Sequence, residues 1–274
     1  MPNWTTTRMV VHKDDVADFV NEVGNVDFGI FRPIPRSLLL LEGSFANDAE
    51  SAAHARKDGD SAALVEIAEK LAERLGEGID FSRDTDSTRI VRDIDGLCDV
   101  GDLYLENKRL HGFRSWYGWS TENWGTKWNA CDTSVKPLGE TAVVVEFDTA
   151  WNAPDESLCG EILRACKHPA LMEHADEDFC GVYSTRLGED GSVERCWLDD
   201  LESDLFEVHE DPDDGFHSFS ASNPKTDWPD KFVAPERERD RTASQGSPDE
   251  TATAARKAAA ATGGKRTADT GKHL

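Results

Sequence analysis

The sequence predicts an α+β fold: a split βαβ antiparallel sheet, interrupted by a helical, tryptophan-rich insertion and followed by a disordered C-terminal tail. Three observations carry that prediction. Two β-α-β successions lie at the two ends of residues 1–197, the pattern of a split βαβ sheet with its helices on one side. Between them, about residues 43–127 change character, being Ala- and Glu-rich at first and Trp-rich at the end. Beyond Pro235 the chain has no Val, Ile, Phe, Trp or Tyr, so residues 236–274 cannot bury enough surface to offset their ordering entropy. Residues 198–235, with Asp/Glu clusters and four prolines, read as an acidic irregular extension.

Taken in order, residues 4–11 (WTTTRMVV) are rich in β-branched side chains and form the first strand. Asp14 and Asp15 offer an N-cap to a helix with Val16, Phe19, Val20 and Val23 at helical spacing and Gly24 as its stop. Residues 26–31 (VDFGIF) make a second strand, closed by Pro33 and Pro35, which cannot continue a ladder. Residues 46–76 spell one amphipathic helix, with Leu64, Ile67, Ala68, Leu71 and Leu75 on its stripe and Gly76 at its end. Residues 79–110 fix no element. Residues 141–148 (TAVVVEFD) are the clearest strand. Pro154-Asp155-Glu156 opens a helix whose face is Leu158, Ile162, Leu163 and Cys166, stopping before Pro169. Residues 170–175 and 179–187 follow as strands, with a turn at Gly188–Gly191.

Charge narrows the function classes. Fifty-four acidic against 30 basic residues give a formal −24. The tail carries eight basic and six acidic residues, so about −26 rests on residues 1–235. That much like charge opposes compaction unless salt shortens the screening length, to roughly 3 Å at 1 M. The acids are dispersed rather than massed on one segment, which favours adaptation to high salt over mimicry of a nucleic acid. No run is apolar enough to cross a bilayer, and Met1-Pro2-Asn3-Trp4 lacks the basic and apolar regions of a secretory signal. A cytoplasmic place in the host is expected, a place in a virion also being compatible. The six cysteines form no CxxC pair and read as free, mostly buried thiols.

Half of the eight tryptophans fall in residues 113–132: Trp116, Trp119, Trp124 and Trp128, beside Phe113 and Tyr117. Such rings either clamp the insertion onto the sheet or form a stacking platform. Only Arg114 and Lys127 are close in sequence, and this scarcity of cations favours the clamp. Gly125-Thr126-Lys127 inverts the order a phosphate loop requires. Asn123, Lys127 and Asp148 are polar residues inside aromatic blocks, and buried polar groups need partners. The expected arrangement is an ion pair of Lys127 with Asp148 or another carboxylate. The alternative is a small polar pocket formed by Trp116, Trp119, Asn123, Trp124, Lys127, Trp128, Asp148 and Trp151.

Five blocks occur in order: Met1-Pro2-Asn3-Trp4, Phe31-Arg32-Pro33-Ile34-Pro35, Trp116-Tyr117-Gly118-Trp119, Asn123–Ala130 (NWGTKWNA) and Phe147–Pro154 (FDTAWNAP). Together, over roughly residues 1–190, the chain resembles the phage- and plasmid-borne YubB-like family, also called Api-ninety-two-like. The resemblance implies a ferredoxin-like fold, a mobile-element origin and no established activity, so no catalytic residue carries over. Thr5 stands where relatives often have Cys.

No other chemistry is strongly signalled. His168, His174, His209 and His217 have no metal-site spacing, and Glu207–Asp214 lacks the glycine-anchored calcium pattern. No G-x-S-x-G elbow is present, and Cys131, Cys159 and Cys180 read as buried rather than nucleophilic. No cofactor is expected. The leading expectation is a non-enzymatic module that binds a macromolecule, protein rather than nucleic acid. A nucleic-acid-associated protein using its basic tail comes second, and an enzyme with a pocket around Trp124, Lys127 and Trp128 third.

Overall fold

The computed structural model describes residues 3–83, 88–176, 181–188, 190–198, 203–210 and 217–221. By backbone contacts the chain divides into Met1–Pro235 and Glu236–Leu274. The predicted disordered tail therefore lies outside the described residues. The elements in the first unit are β1 (Trp4–His12), α1 (Ser44–Asp58), α2 (Ser61–Glu77), β2 (Ile79–Asp80) and β3 (Ile90–Val91). There follow α3 (Ile94–His111), α4 (Trp116–Trp124), β4 (Cys131–Leu138), β5 (Ala142–Ala150) and α5 (Glu156–Ala165). The remainder are β6 (Leu171–Asp176), β7 (Gly181–Leu187), β8 (Val193–Leu198), β9 (Phe206–Glu210) and β10 (His217–Ala221).

Six strands form one sheet in the order β4-β5-β1-β6-β7-β8, each pair of neighbours antiparallel. Two connections each skip a strand: β1 to β4 leaves room for β5, and β5 to β6 leaves room for β1. This is the ferredoxin-like split βαβ arrangement, extended at one edge by β7 and β8. β1 is central, with Met9 opposite Val145 on one side and Met172 on the other. Alternation then separates two faces. Met9, Val11, Val145, Phe147 and Met172 pack beneath Leu158, Ile162 and Leu163 of α5, whose first turn is capped by Asp155. Val10, Val144, Leu171 and Val182 occupy the opposite face, beneath Leu205 and Phe206.

The first crossover departs from expectation. No α-helix forms over residues 14–23. A single 3-10 turn, Lys13–Asp18, gives way at Phe19, and Val23 is exposed. The cap is the His12 ring, because Asp15 is turned inward, where its carboxylate meets both the backbone N–H and Nδ1 of His168. Nor do residues 26–31 form a strand: Val26 makes one bridge to Val20. Asp27 then caps a 3-10 turn, Phe28–Ile30, by accepting from the Gly29 N–H. Phe28, delivered by that turn, fills core space.

The single helix read over residues 46–76 is two. Gly59 adopts φ 71°, a left-handed C-cap, and Asp60 caps α2 by accepting from the Ala63 N–H. Gly76 lies inside α2, which ends at Gly78. Residues 79–110 hold the short β2–β3 pair and α3. The insertion has its own core, centred on Phe45, Leu71, Leu97 and Tyr104. The alanine face of α1 lies so close to α3 that a Cβ on Gly101 would fall 2.0 Å from the Ala49 carbonyl oxygen.

The extension expected to be irregular contains the β9–β10 hairpin. Its approach is held by Glu173, fully buried, whose carboxylate accepts from Ser203 Oγ (2.7 Å), the Leu205 N–H (3.1 Å) and the Asp204 N–H (3.2 Å). Arg8 pairs with Glu146 at 3.0 Å and donates to the Leu205 carbonyl. These contacts are far apart in sequence, so local periodicity carries no trace of them.

Candidate aromatic cleft

Ser115 caps α4 and Gly125 ends it at φ 77°, where a Cβ would lie 2.7 Å from the Asp155 nitrogen. The close approach lets the Asp155 N–H donate to the Trp124 carbonyl at 2.8 Å, joining the end of the insertion to the start of α5. Trp124 is only 5 % exposed. Its ring meets Phe28 (5.9 Å) and Trp119 (5.6 Å) edge-on, and its Nε1 donates to the Arg32 carbonyl at 3.0 Å. The Arg32 guanidinium reaches Glu161 (2.6 Å), Ser157 (2.7 Å) and the Asn123 carbonyl (2.5 Å). Asn123 in turn donates to the Trp119 carbonyl at 2.8 Å. Trp119, Asn123 and Trp124 therefore hold the structure together.

Lys127 does not pair with Asp148. Its ammonium lies over the rings of Trp128 (4.6 Å), Trp151 (5.0 Å) and Tyr117 (6.0 Å). Three ring faces supply the partner that the sequence reading assigned to a carboxylate, and a half-buried cation is well served by them. Trp151 takes φ 79°, unusual for a bulky residue, with its N–H donating to the Asn3 carbonyl at 2.8 Å. Asp148 lies opposite Thr6, whose hydroxyl donates to it at 2.7 Å.

Above this packed layer is a cleft of about 480 Å³, lined by Ile34, Leu39, Arg83, Trp116, Trp124, Trp128 and Asn129. Of the eight candidates it brings together Trp116, Trp124 and Trp128; Lys127 and Trp151 group with Tyr117, and Asp148 with Thr6. The Arg83 guanidinium lies 4.0 Å from the Trp116 ring centre. Trp116 is 6 % exposed, and its Nε1–H finds no acceptor among the described residues.

Arg32 and Arg83 escaped the sequence reading. Arg32 stands in the Phe31–Pro35 block, whose two prolines mark a fixed loop. Arg83 had no local signal. Among the described residues the cleft lining contains no acid. Burial pushes Cys131 up to about 11 and Cys159 up to about 12, leaving both protonated at neutral pH. Cys180 lies outside the described residues.

No family model matches the chain, and no curated protein matches it. Among solved structures, the crystal structure of protein api92 from Yersinia pseudotuberculosis, of family DUF1281, is similar over 73% of this chain and 99% of that one. The identity is 10% and the TM-score 0.35.

Proposed function

We propose that this chain is a non-enzymatic binding module of a virus or plasmid living in a salt-rich host cytoplasm. Its aromatic cleft receives a segment of another protein. The observation that carries the reading is the pairing of a donor with a stacked cation: Trp116 Nε1–H, buried without an acceptor among the described residues, beside Arg83 on the same ring. Buried donors are normally satisfied, so a ligand offering an acceptor there gains more than at an ordinary surface. A carboxylate next to an apolar side chain fits both Arg83 and the tryptophan rings. About −26 on residues 1–235 opposes a nucleic-acid backbone and leaves a protein as the favoured partner. The mobile-element origin rests on the five ordered sequence blocks alone.

The test is capture of a partner from host extract in molar KCl, comparing the parent chain, Arg83→Ala, and a chain lacking residues 236–274. The reading expects a nuclease-resistant protein partner, lost with Arg83→Ala at unchanged melting temperature and retained without the tail. Loss on tail removal, together with nuclease sensitivity, would instead support the nucleic-acid reading. The salt adaptation has its own test: the melting midpoint should rise steeply between about 0.1 M and 2 M KCl, across which the Debye length falls below roughly 3 Å. An unchanged midpoint refutes it.

A further inference from the structure

The two ends of the six-stranded sheet are finished differently. At one end β4 carries the devices that keep an edge from pairing. Its register with β5 shifts between Cys131 and Ser134, Pro137 has no N–H to offer, and Lys136 adds charge. At the other end β8 runs opposite β7 without interruption from Val193 to Leu198, with neither proline nor bulge. So regular an edge is a template for another strand.

The β7–β8 hairpin fixes which backbone groups of β8 face outward. The Gly188 N–H donates to the Ser192 carbonyl at 2.8 Å, so Gly188 and Ser192 form a hydrogen-bonded pair. Alternation then turns the backbone of Glu194, Cys196 and Leu198 toward β7. The N–H and C=O groups of Val193, Arg195 and Trp197 point to the outer edge. Outside the sheet ladder, none of these three makes a backbone hydrogen bond among the described residues. The Arg195 side chain leans back over β7 and leaves that edge open. Its Nε donates to Thr185 Oγ1 at 3.1 Å and its Nη2 to the Pro154 carbonyl at 2.7 Å, with the guanidinium 5.2 Å from the Tyr183 ring centre. Trp197 is 67% exposed, and Cys196 is an exposed free thiol.

We propose that β8 pairs antiparallel with β8 of a second copy of this chain, joining the two sheets across a twofold axis at Cys196. An axis normal to the sheet keeps equivalent faces together, so residues of one face stand opposite residues of the same face. Centring it on Glu194 or Arg195 sets like charges directly opposite each other, which destabilises a pair. Centring it on Val193, Trp197 or Leu198, near an end of the strand, shortens the ladder. At Cys196 both faults vanish: Arg195 stands opposite Trp197 of the second copy, Glu194 opposite its Leu198, and Cys196 opposite its own counterpart. The Arg195–Trp197 pairs supply the hydrogen bonds, and each exposed indole is covered by the other copy's strand. The two Cys196 residues form a non-hydrogen-bonded pair, whose Cα atoms lie about 4.5 Å apart, within reach of a disulfide. Each copy brings a formal −24, so salt must screen the repulsion, and an edge contact of this size makes a reversible dimer. The pairing does not involve the aromatic cleft and does not depend on its reading.

Sedimentation of the full chain at about 100 µM in about 2 M KCl, where charge repulsion is screened, tests the proposal and should give a dimer. Copper–phenanthroline, which takes one electron from each of two thiols and leaves their protons to solvent, should trap it as a reducible covalent dimer. The trap should work in the parent and in Cys131→Ser and fail in Cys196→Ser. Trp197→Lys sets a cation opposite Arg195 and removes the indole from the contact. It should keep the parent melting temperature, because the side chain is exposed, and weaken the dimer at least about tenfold. The proposal is overturned by a monomeric mass for the parent, by trapping that persists in Cys196→Ser, or by Trp197→Lys dimerising as the parent does.

Discussion

On one face of the sheet, Met9, Val11, Val145, Phe147 and Met172 meet α5, and Phe28 and Trp124 fill the space where the first crossover makes no helix. On the other, Val10, Val144 and Leu171 share the surface with the buried side chains of Arg8 and Glu173, and residues 203–206 are drawn onto it by those charges. The first face is closed by apolar volume, which tolerates imperfection in proportion to what is lost. The second is closed by matched donors and acceptors, where the loss of one partner strands the rest. A four-stranded split βαβ sheet with one helix would leave both faces partly open, and this chain covers each by a different means.

The comparison can be broken most directly at Trp124. Trp124→Ala should cost about 3–5 kcal/mol in denaturant unfolding, and Trp124→Phe should recover a large part of it, as a volume-driven closure requires. If alanine and phenylalanine cost the same, the Nε1 bond to Arg32 rather than ring volume holds this face. Glu173→Ala should cost about 3 kcal/mol. Glu173→Leu, although it restores volume, should recover little, because the Ser203 hydroxyl proton loses its acceptor and the Leu205 N–H keeps only its longer bond to Ser203 Oγ, at 3.3 Å. Full recovery by leucine would erase the distinction between the faces.

A polar thread crosses the apolar face and gives a smaller, pH-dependent effect. His174 bonds Thr7 Oγ1 at 2.9 Å and Thr185 Oγ1 at 3.0 Å. Burial, helped by the nearby Arg195 charge, holds its pKa well below 6.5, so the folded chain keeps this ring neutral. Below the unfolded value the unfolded chain binds the extra proton, and stability falls with pH at up to about 1.4 kcal/mol per unit. His174→Gln should flatten the melting curve between pH 7 and pH 5 relative to the parent; an identical pH slope in the two proteins would remove His174 from the account. The smallest effect is expected at Lys127. Lys127→Met exchanges ring contacts for dispersion and should cost about 1 kcal/mol or less. A loss of several kcal/mol would restore the ion pair that the geometry lacks.

How much of this was legible in advance differs between the elements. Residues 141–148 and the face of Leu158, Ile162 and Leu163 were readable because their periodicity is local and tertiary contact only reinforces it. From these and the first strand, the split βαβ order followed. For Trp124 composition favoured a clamp but left it also among the candidate pocket residues. Residues 14–31 were misread because their helical and strand patterns compete with Asp15 and Asp27, short acids that found partners in His168 and a tight turn. The Lys127–Asp148 pair was inferred from the need of a buried cation for a partner. Which partner, carboxylate or ring face, is a matter of geometry over Trp128 and Trp151, and spacing in sequence carries no information about it. Arg83 beside Trp116, Arg195 beside Tyr183, and Glu173 beneath residues 203–205 share one property. Each joins residues a dozen or more positions apart through directional contacts, which leave no periodic mark. The sequence by itself determined the fold class and the acidic charge, because hydrophobic pattern and composition act additively along the chain. Only the tertiary structure decided which polar groups were satisfied and which were left facing a cavity, because hydrogen bonds depend on position and angle.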